Sequence, residues 1–428
     1  MTDRIHDLAI IGGGIAGLIH LHYAQQAQLD VVLLEGRDQV GGLWRSLPAW
    51  QDIQICPADW TVGDLPLAGP MQPQILANIE AWVDRFDLSG GLRLGSPVSN
   101  ARHNGNCWLL DTPQGTVSAR HLVVATGAHN RPVVPAVHRQ GSTVRELHSS
   151  ALRDPAELSG RTVLVVGGGA SALDLLDQCV ENKARRILWA HRGMRWFTPT
   201  TKPKAVAGSI RPLARMQASG MPVAQQNAMI NADLSGRYEK FGIQAIRPER
   251  PLDLRHDQLV PGRARMLAHF GDIERHAATV TAIEGGEVVL SSQQRLAVDH
   301  VLWGTGYETD LSYFADERIA STRSIPALVQ RCACVFRSID APDLYFPDVG
   351  LEGVGATCWA FAIGARTVMS HIRGTARLDM VPTPHRLNHL DLVQHLVERD
   401  PAAGGADAWK QMQQMAMTLP DDQPYPLP

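Results

Sequence analysis

Short apolar runs closed by glycine set the rhythm of this chain. Leu8, Ala9, Ile10 and Ile11 form a run that stops at glycine, as a strand buried on both faces does. The pattern returns at Val31–Leu34, His121–Val124, Thr162–Val166, Arg186–Ala190 and Val301–Trp303, each followed within three residues by glycine. Helical spacing fills the intervals. Ile75, Ile79, Trp82 and Val83 share one face of a predicted helix over Gln74–Phe86, and Leu173, Leu176 and Val180 continue one after Val166. A further helix is predicted over Ala360–Ile372. Alternating strands are predicted at Cys107–Asp111, Gly115–Ala119, Thr279–Ile283 and Val288–Leu290, the last two around a Gly285-Gly286 turn. Strands and helices alternating in this order predict an α/β fold with parallel sheets.

Two of the strand-to-helix junctions carry chemistry. At the first, Gly12, Gly14 and Gly17 stand in G-x-G-x-x-G spacing, with Ile15 and Ala16 opening the helix. The first glycine permits the turn, the second lets backbone approach a pyrophosphate, and the third lets helix and strand pack closely. The phosphates would meet unpaired N–H groups at the helix start. The next strand ends in Glu35-Gly36, placing a carboxylate where both hydroxyls of a ribose would lie. At the second junction Gly167, Gly169 and Ala172 repeat the spacing, with Ala170 and Ser171 between them. Its following strand ends in Ala190-His191-Arg192, with no acid. A carboxylate would repel a ribose 2'-phosphate, whereas a guanidinium pairs with it as a fork, so the second dinucleotide is predicted to be NADPH rather than NADH.

Smaller features surround these turns. Gly41-Gly42-Leu43-Trp44 offers close backbone approach and an aromatic wall, although the same residues would serve a plain loop with a core tryptophan. Ala125-Thr126-Gly127 and Gly304-Thr305-Gly306-Tyr307 each end a strand in Thr-Gly, a form suited to backbone passing under a cofactor. Leu344–Leu351, containing Asp348, leads toward the Ala360–Ile372 helix. Gln51–Pro70 reads as a surface loop of the first unit, Asn130–Pro135 as a stiff linker, and Trp196–Gly242 as a cover over the cofactor cleft. The end of the chain reads as a polar helix and a Pro-rich tail of unassigned role. If the chain after Tyr307 completes the first unit, the second is an insertion. The expected fold is therefore two Rossmann-like dinucleotide-binding domains, the NADPH domain (156–304, with cover 196–242) inserted into the first (1–155 and 305–428).

Composition narrows the classes. The length of 428 residues suits two or three domains, and 40 Lys+Arg against 43 Asp+Glu give no field that advertises nucleic acid or an anionic membrane. No apolar run reaches the roughly 18 residues of a membrane span, and no signal peptide precedes the first strand, so a cytoplasmic location is expected. The six cysteines form no C-x-x-C, which argues against zinc and against a redox-active disulfide. Cys332 and Cys334 would share one face of a strand, most simply as buried thiols.

The order and spacing of these motifs resemble the flavin-containing monooxygenases, the class B NADPH-dependent flavoproteins, over most of the chain. The resemblance rests on G-G-G-I-A-G with Glu35, on G-G-L-W, A-T-G and W-G-T-G-Y, and on the dense stretch His148–Asp174 around the second turn. It implies that the first domain (1–155 and 305–428) is the FAD domain, with FAD at Gly12, Gly14, Gly17, Glu35 and Trp44 and Gly127 closing over it, and NADPH at Gly167, Gly169, Ser171 and Arg192. It also implies a flavin C4a-hydroperoxide as oxidant, positioned and kept dry by the protein. Metal and protein nucleophile are not required. The expected partners are a small-molecule substrate and dioxygen, with a homodimer the favoured assembly.

The sequence departs from the family in two places. Ser142 and Val144 stand where the fingerprint has an aromatic and a glycine ahead of its histidine, so only His148 remains. Ile55-Cys56-Pro57-Ala58 replaces an asparagine-bearing loop, more in the manner of a bacterial branch. Cys56 and His148 are the weak catalytic candidates, a packed thiol and a hinge histidine being the simpler accounts of them. The leading expectation is oxygenation of a nucleophilic nitrogen or sulfur. Its rivals are a reductase or oxidase without oxygen insertion, Baeyer–Villiger oxygenation, and a flavin-binding protein without turnover.

Overall fold

The computed structural model describes residues 4–53, 56–61, 65–201, 211–257, 259–333, 336–341, 343–347, 357–378, 380, 405–420 and 423. Two sheets with parallel centres organise it. The larger runs, edge to edge, Cys332–Ala333, Arg337–Ser338, Leu344–Tyr345, Gly115–Val124, Ile5–Ile11, Val31–Leu34 and Leu92–Arg93; the first three of these pair antiparallel with one another, and Asn100–His103 and Trp108–Thr112 are further antiparallel additions. Ile5–Ile11 lies at the centre, pairing Leu8 with Val31 on one side and Ile10 with Val123 on the other. Leu8, Ala9 and Ile10 are fully buried, which is why the run carries no alternating polar position. The helix Ile15–Gln26 packs between this sheet and the helix Thr357–Ile372. The two short strands expected at Gly115–Ala119 and His121–Val124 are one ten-residue strand, Gly115–Val124, because exposed Arg120 is only a solvent-facing position within it.

The second sheet has the order Ile273–His276, Arg186–Ala190, Thr162–Val166, His300–Trp303, Arg145–His148, all parallel. Its last strand shifts a boundary. Arg145–His148 pairs with His300–Trp303, so the second unit begins ahead of residue 156. The sequence R-E-L-H lacks a buried apolar run, and the strand is therefore silent to hydrophobic patterning. The crossing point is the antiparallel ribbon of Arg131–Pro132 with Tyr307–Glu308, where the outgoing and returning chains lie side by side. The return is completed when Leu344–Tyr345 pairs in parallel with Leu122 and Val123 of the first sheet. A small four-stranded sheet, containing His138–Gln140 and the hairpin at Gly285, closes the outer face of the second unit with its own apolar cluster.

The segment expected as a cover divides in two. Trp196 lines the cleft, whereas the helix Val223–Lys240 turns Leu234 and Tyr238 into the second core. Residues 202–210 of that segment lie outside the described residues; among the described residues further cleft-facing positions lie later, at Ala245–Arg250, Val260, Pro261 and Arg263. Among the described residues no helix is long and apolar enough to cross a membrane. The C-terminal helix is Gly405–Thr418, and Gln413 donates from it to Ala218 O.

Candidate active site

Both glycine turns open on one continuous cleft of about 2430 Å³. That exceeds the roughly 300–1,000 Å³ of an ordinary small-molecule pocket and suits two extended ligands laid end to end. At the first turn Gly12 has φ +107°, and a Cβ there would stand 2.4 Å from Ala125 O. A Cβ on Gly17 would stand 1.9 Å from Gly12 O, so this glycine serves helix–strand packing and does not line the cleft. Gly14 differs. Its backbone is extended (φ −83°), and an added Cβ would meet nothing closer than Gly42 Cα at 3.5 Å. Steric exclusion inside the protein therefore does not explain Gly14. The space over it is open to the cleft and leaves room for a ligand to pass close to the backbone.

Glu35 is buried at the end of its strand, and both carboxylate oxygens are oriented by backbone. Oε2 accepts from Gly13 N at 2.6 Å and Oε1 from Arg37 N at 2.9 Å. Each oxygen keeps a second lone pair, so the carboxylate is fixed and still able to accept two ribose hydroxyls. Gly36, Gly42, Leu43, Trp44, Thr126 and Gly127 line the same wall, as do Ile15 and Ala16. The Trp44 ring meets Trp60 edge-on at 5.6 Å, giving the cleft an aromatic corner. The donor set and the cradle fit a flavin dinucleotide.

The second turn repeats the architecture. Gly167 has φ +135°, and a Cβ there would meet Gly304 O at 2.2 Å. Ala172 takes the packing role of the third glycine, facing Gly304, whose own added Cβ would lie 2.7 Å from Ala172 Cα. Gly169 is again open, with only Arg195 Cδ at 4.0 Å. Ala170 and Ser171 line the cleft at the start of the helix Ala170–Glu181. His191 and Arg192 lie on its wall, and Arg192 is exposed. Burial, with a smaller contribution from Arg275, lowers the His191 pKa from its ordinary value, so the imidazole is neutral near pH 7. Arg192 is then the member of this pair that brings a full charge to a phosphate. These residues fit a phosphorylated nicotinamide dinucleotide.

Thr305 and Gly306 line the cleft where the chain returns, and Thr305 Oγ1 donates to Val133 O across the two linkers. Asp348 lies outside the described residues, as does Cys334. Neither candidate catalytic side chain lines the cleft. Cys56 is half-buried ahead of the helix Pro57–Trp60. His148 is buried, with Nε2 at 3.0 Å from Gly306 O, Nδ1 at 2.9 Å from Ser150 Oγ, and Tyr307 edge-on at 5.0 Å. Burial lowers its pKa, so it acts as a neutral strut beside the ribbon.

Sequence reasoning missed several wall residues, among them Arg37, Arg195, Arg247 and Arg263. Arg195 N donates to Gly168 O at 3.0 Å, and a Cβ on Gly168 would stand 2.0 Å from Gly193 O. Gly168, the middle glycine of the Gly167-Gly168-Gly169 run, was the available signal for Arg195, since this contact requires it.

Residues 9–232, just over half of the chain, match the pyridine nucleotide-disulphide oxidoreductase family, and the chain belongs to it. Among curated relatives it is 23% identical over 333 residues to an uncharacterized oxidoreductase CzcO-like of Geobacillus kaustophilus, spanning 76% of this chain and 87% of the relative. It is 28% identical over 226 residues to a Baeyer-Villiger monooxygenase of Streptomyces coelicolor, spanning 50% of this chain and 43% of that one. Among solved structures it resembles the flavin-containing monooxygenase from Stenotrophomonas maltophilia (TM-score 0.61, 16% identity, 87% of this chain and 99% of that one). It also resembles the OTEMO complex with FAD and NADP (TM-score 0.65, 14% identity, 86% of each chain).

Proposed function

We propose that this protein is an NADPH-dependent flavin monooxygenase that places one oxygen atom on a nucleophilic nitrogen or sulfur of a small molecule. One observation carries the reading: two glycine turns, one answered by Glu35 and the other by Arg192, open on a single cleft. FAD lies on the Gly12–Gly17 turn and Glu35, and NADPH on the Gly167–Ala172 turn with Arg192. The solved OTEMO complex, which holds both groups, supports this pairing. Bound flavin supplies the redox chemistry, accepting a hydride from nicotinamide and passing electrons to dioxygen. The chain's own contribution is placement. With both groups bound the turns would seat the phosphates and Glu35 would hold a ribose, while Trp44 and Trp60 give the cleft an apolar wall.

The similarity to a Baeyer-Villiger monooxygenase supports a second reading, oxygen insertion beside a carbonyl. Against it stand Ser142 and Val144 in the fingerprint positions ahead of His148. The test is anaerobic reduction by NADPH followed by rapid admission of dioxygen, with the flavin spectrum followed in time. A transient species, distinct from oxidised and reduced flavin, that decays faster when amines or thioethers are added is the expected result. Direct return to oxidised flavin with stoichiometric peroxide, whatever is added, refutes oxygen insertion. Faster decay with ketones alone moves the protein to the second reading.

A further inference from the structure

Trp50, Gln51 and Asp52 are consecutive residues of the first unit, and each side chain is tied to the second. Trp50 Nε1 donates to Leu152 O at 2.6 Å, Gln51 Nε2 to Asp174 Oδ2 at 2.6 Å, and Asp52 Oδ1 accepts from Arg263 Nη1 at 2.5 Å. Arg263 also reaches Asp174 Oδ1, at 2.5 Å, so one buried guanidinium joins a carboxylate from each unit. Asp174 is no remote anchor. It sits one turn inside the helix that starts at the second glycine turn, so holding its carboxylate holds the helix whose N-terminus opens on the cleft.

The same tripeptide is also tied toward the flavin wall. Gln72 N donates to Gln51 O at 2.8 Å, and Gln72 Nε2 donates to Trp44 O at 2.6 Å. The chain of contacts is therefore continuous from the NADPH helix, through Asp174, Gln51 and Gln72, to the backbone of Trp44. Every member between its ends is a hydrogen-bonded amide or carboxylate, and buried groups of that kind lose their partners rather than slide.

We propose that Gln51 is a positioning residue, the link through which the seating of the NADPH helix sets the flavin wall at Trp44. This rests on the flavin and NADPH reading above. Hydride transfer falls steeply when donor and acceptor are misplaced, about 100-fold for an ångström, so a relay of this kind acts on the rate of flavin reduction and not on the affinity of either nucleotide.

The experiment uses the full chain with FAD bound. Gln51→Leu keeps the size of a half-buried side chain and removes both of its side-chain hydrogen-bonding functions. The expected result is unchanged FAD content and NADP+ affinity, with flavin reduction by NADPH slowed by about tenfold or more. In the cycle with Gln72→Leu, the second substitution should add little to the first, as members of one relay do. Hydrogen exchange at the Gln72 amide should rise in Gln51→Leu while the strands of both sheets stay protected. Unchanged reduction, or additive effects in the cycle, overturns the proposal. Loss of NADP+ affinity together with melting temperature also overturns it, by reducing the contact to simple packing. A wild-type protein that NADPH does not reduce defeats the functional reading instead, and the exchange measurement still reports on the relay.

Discussion

The sharpest consequence of the geometry separates two kinds of glycine at each turn. Gly12 and Gly167 have φ of +107° and +135°, and an added Cβ would stand 2.4 and 2.2 Å from a backbone oxygen, so alanine there disrupts the fold. Gly14 and Gly169 have extended backbones, φ −83° and −112°, that alanine adopts freely. The nearest atoms to an added Cβ are Gly42 Cα at 3.5 Å and Arg195 Cδ at 4.0 Å, both ordinary contacts or looser. Gly169→Ala therefore costs the protein only the weaker N-cap of the helix, about 1 kcal/mol, or a melting shift of about 1 °C for a chain of this length. The ligand is affected far more. A methyl group between the pyrophosphate and the turn removes at least one charge-assisted hydrogen bond, worth about 1.5–3 kcal/mol, which corresponds to roughly 10- to 150-fold in affinity. Calorimetric titration of the purified variant with NADP+, beside a thermal melt, measures both quantities. Gly14→Ala should likewise fold and emerge depleted of flavin. A Gly169→Ala protein that melts like wild type and binds NADP+ equally well would refute a phosphate path across this turn.

Three further outcomes follow from named residues. Arg192→Gln should weaken NADPH by about 10- to 100-fold and leave NADH nearly unchanged, and equal losses in steady-state KM would remove Arg192 from the 2'-phosphate. His20 is fully buried, Nδ1 lies 2.7 Å from Ala16 O, and Nε2 has no partner among the described residues, so burial lowers its pKa from 6.5 to about 4. Because the unfolded chain takes up the proton first, stability is complete above pH 6.5 and falls as pH drops toward 4, by about 3 kcal/mol at 1.36 kcal/mol per pKa unit. His20→Phe should flatten that part of the pH dependence in urea unfolding, and an unchanged slope between pH 6.5 and 4.5 assigns acid lability elsewhere. Cys56→Ala should leave NADPH-dependent flavin reduction intact, since the residue does not line the cleft, and a loss comparable to that of Gly169→Ala would restore it as a redox partner.

Local chemistry was legible because it is written in contiguous residues. A buried parallel strand must be apolar on both faces, its turn needs glycine, and the ribose partner stands at the end of the next strand, so Leu8–Glu35 and Thr162–Arg192 each state their own structure. Even the difference between the two turns, Glu35 against Arg192, lies in adjacent letters. The strand Arg145–His148 was not legible for the converse reason. Its R-E-L-H sequence carries two exposed or half-exposed charges, and it is a strand only because His300–Trp303 lies beside it, more than 150 residues later. Hydrophobic period reports burial, and an edge strand has little of it to report.

The link between the units was illegible for a deeper reason. Trp50, Gln51 and Asp52 look like ordinary loop letters, and their polarity invites the reading of a surface crossing. What makes them an interface is the coincidence of Leu152, Asp174 and Arg263, which come from three separate stretches of chain and carry no mutual spacing. Buried ion pairs are weak evidence of net stability, because desolvating Asp52, Asp174 and Arg263 offsets most of their attraction. Their geometric demand is strict all the same, since a displaced partner leaves a buried charge alone. The two nucleotide sites are each built by local sequence rules, whereas their separation is set by a non-local polar lock that tolerates few alternative positions. The ribbon of Arg131–Pro132 with Tyr307–Glu308 joins the units where the chain crosses between them, and the contact at Trp50–Asp52 joins them a second time, with Gln51 and Asp52 lining the same cleft.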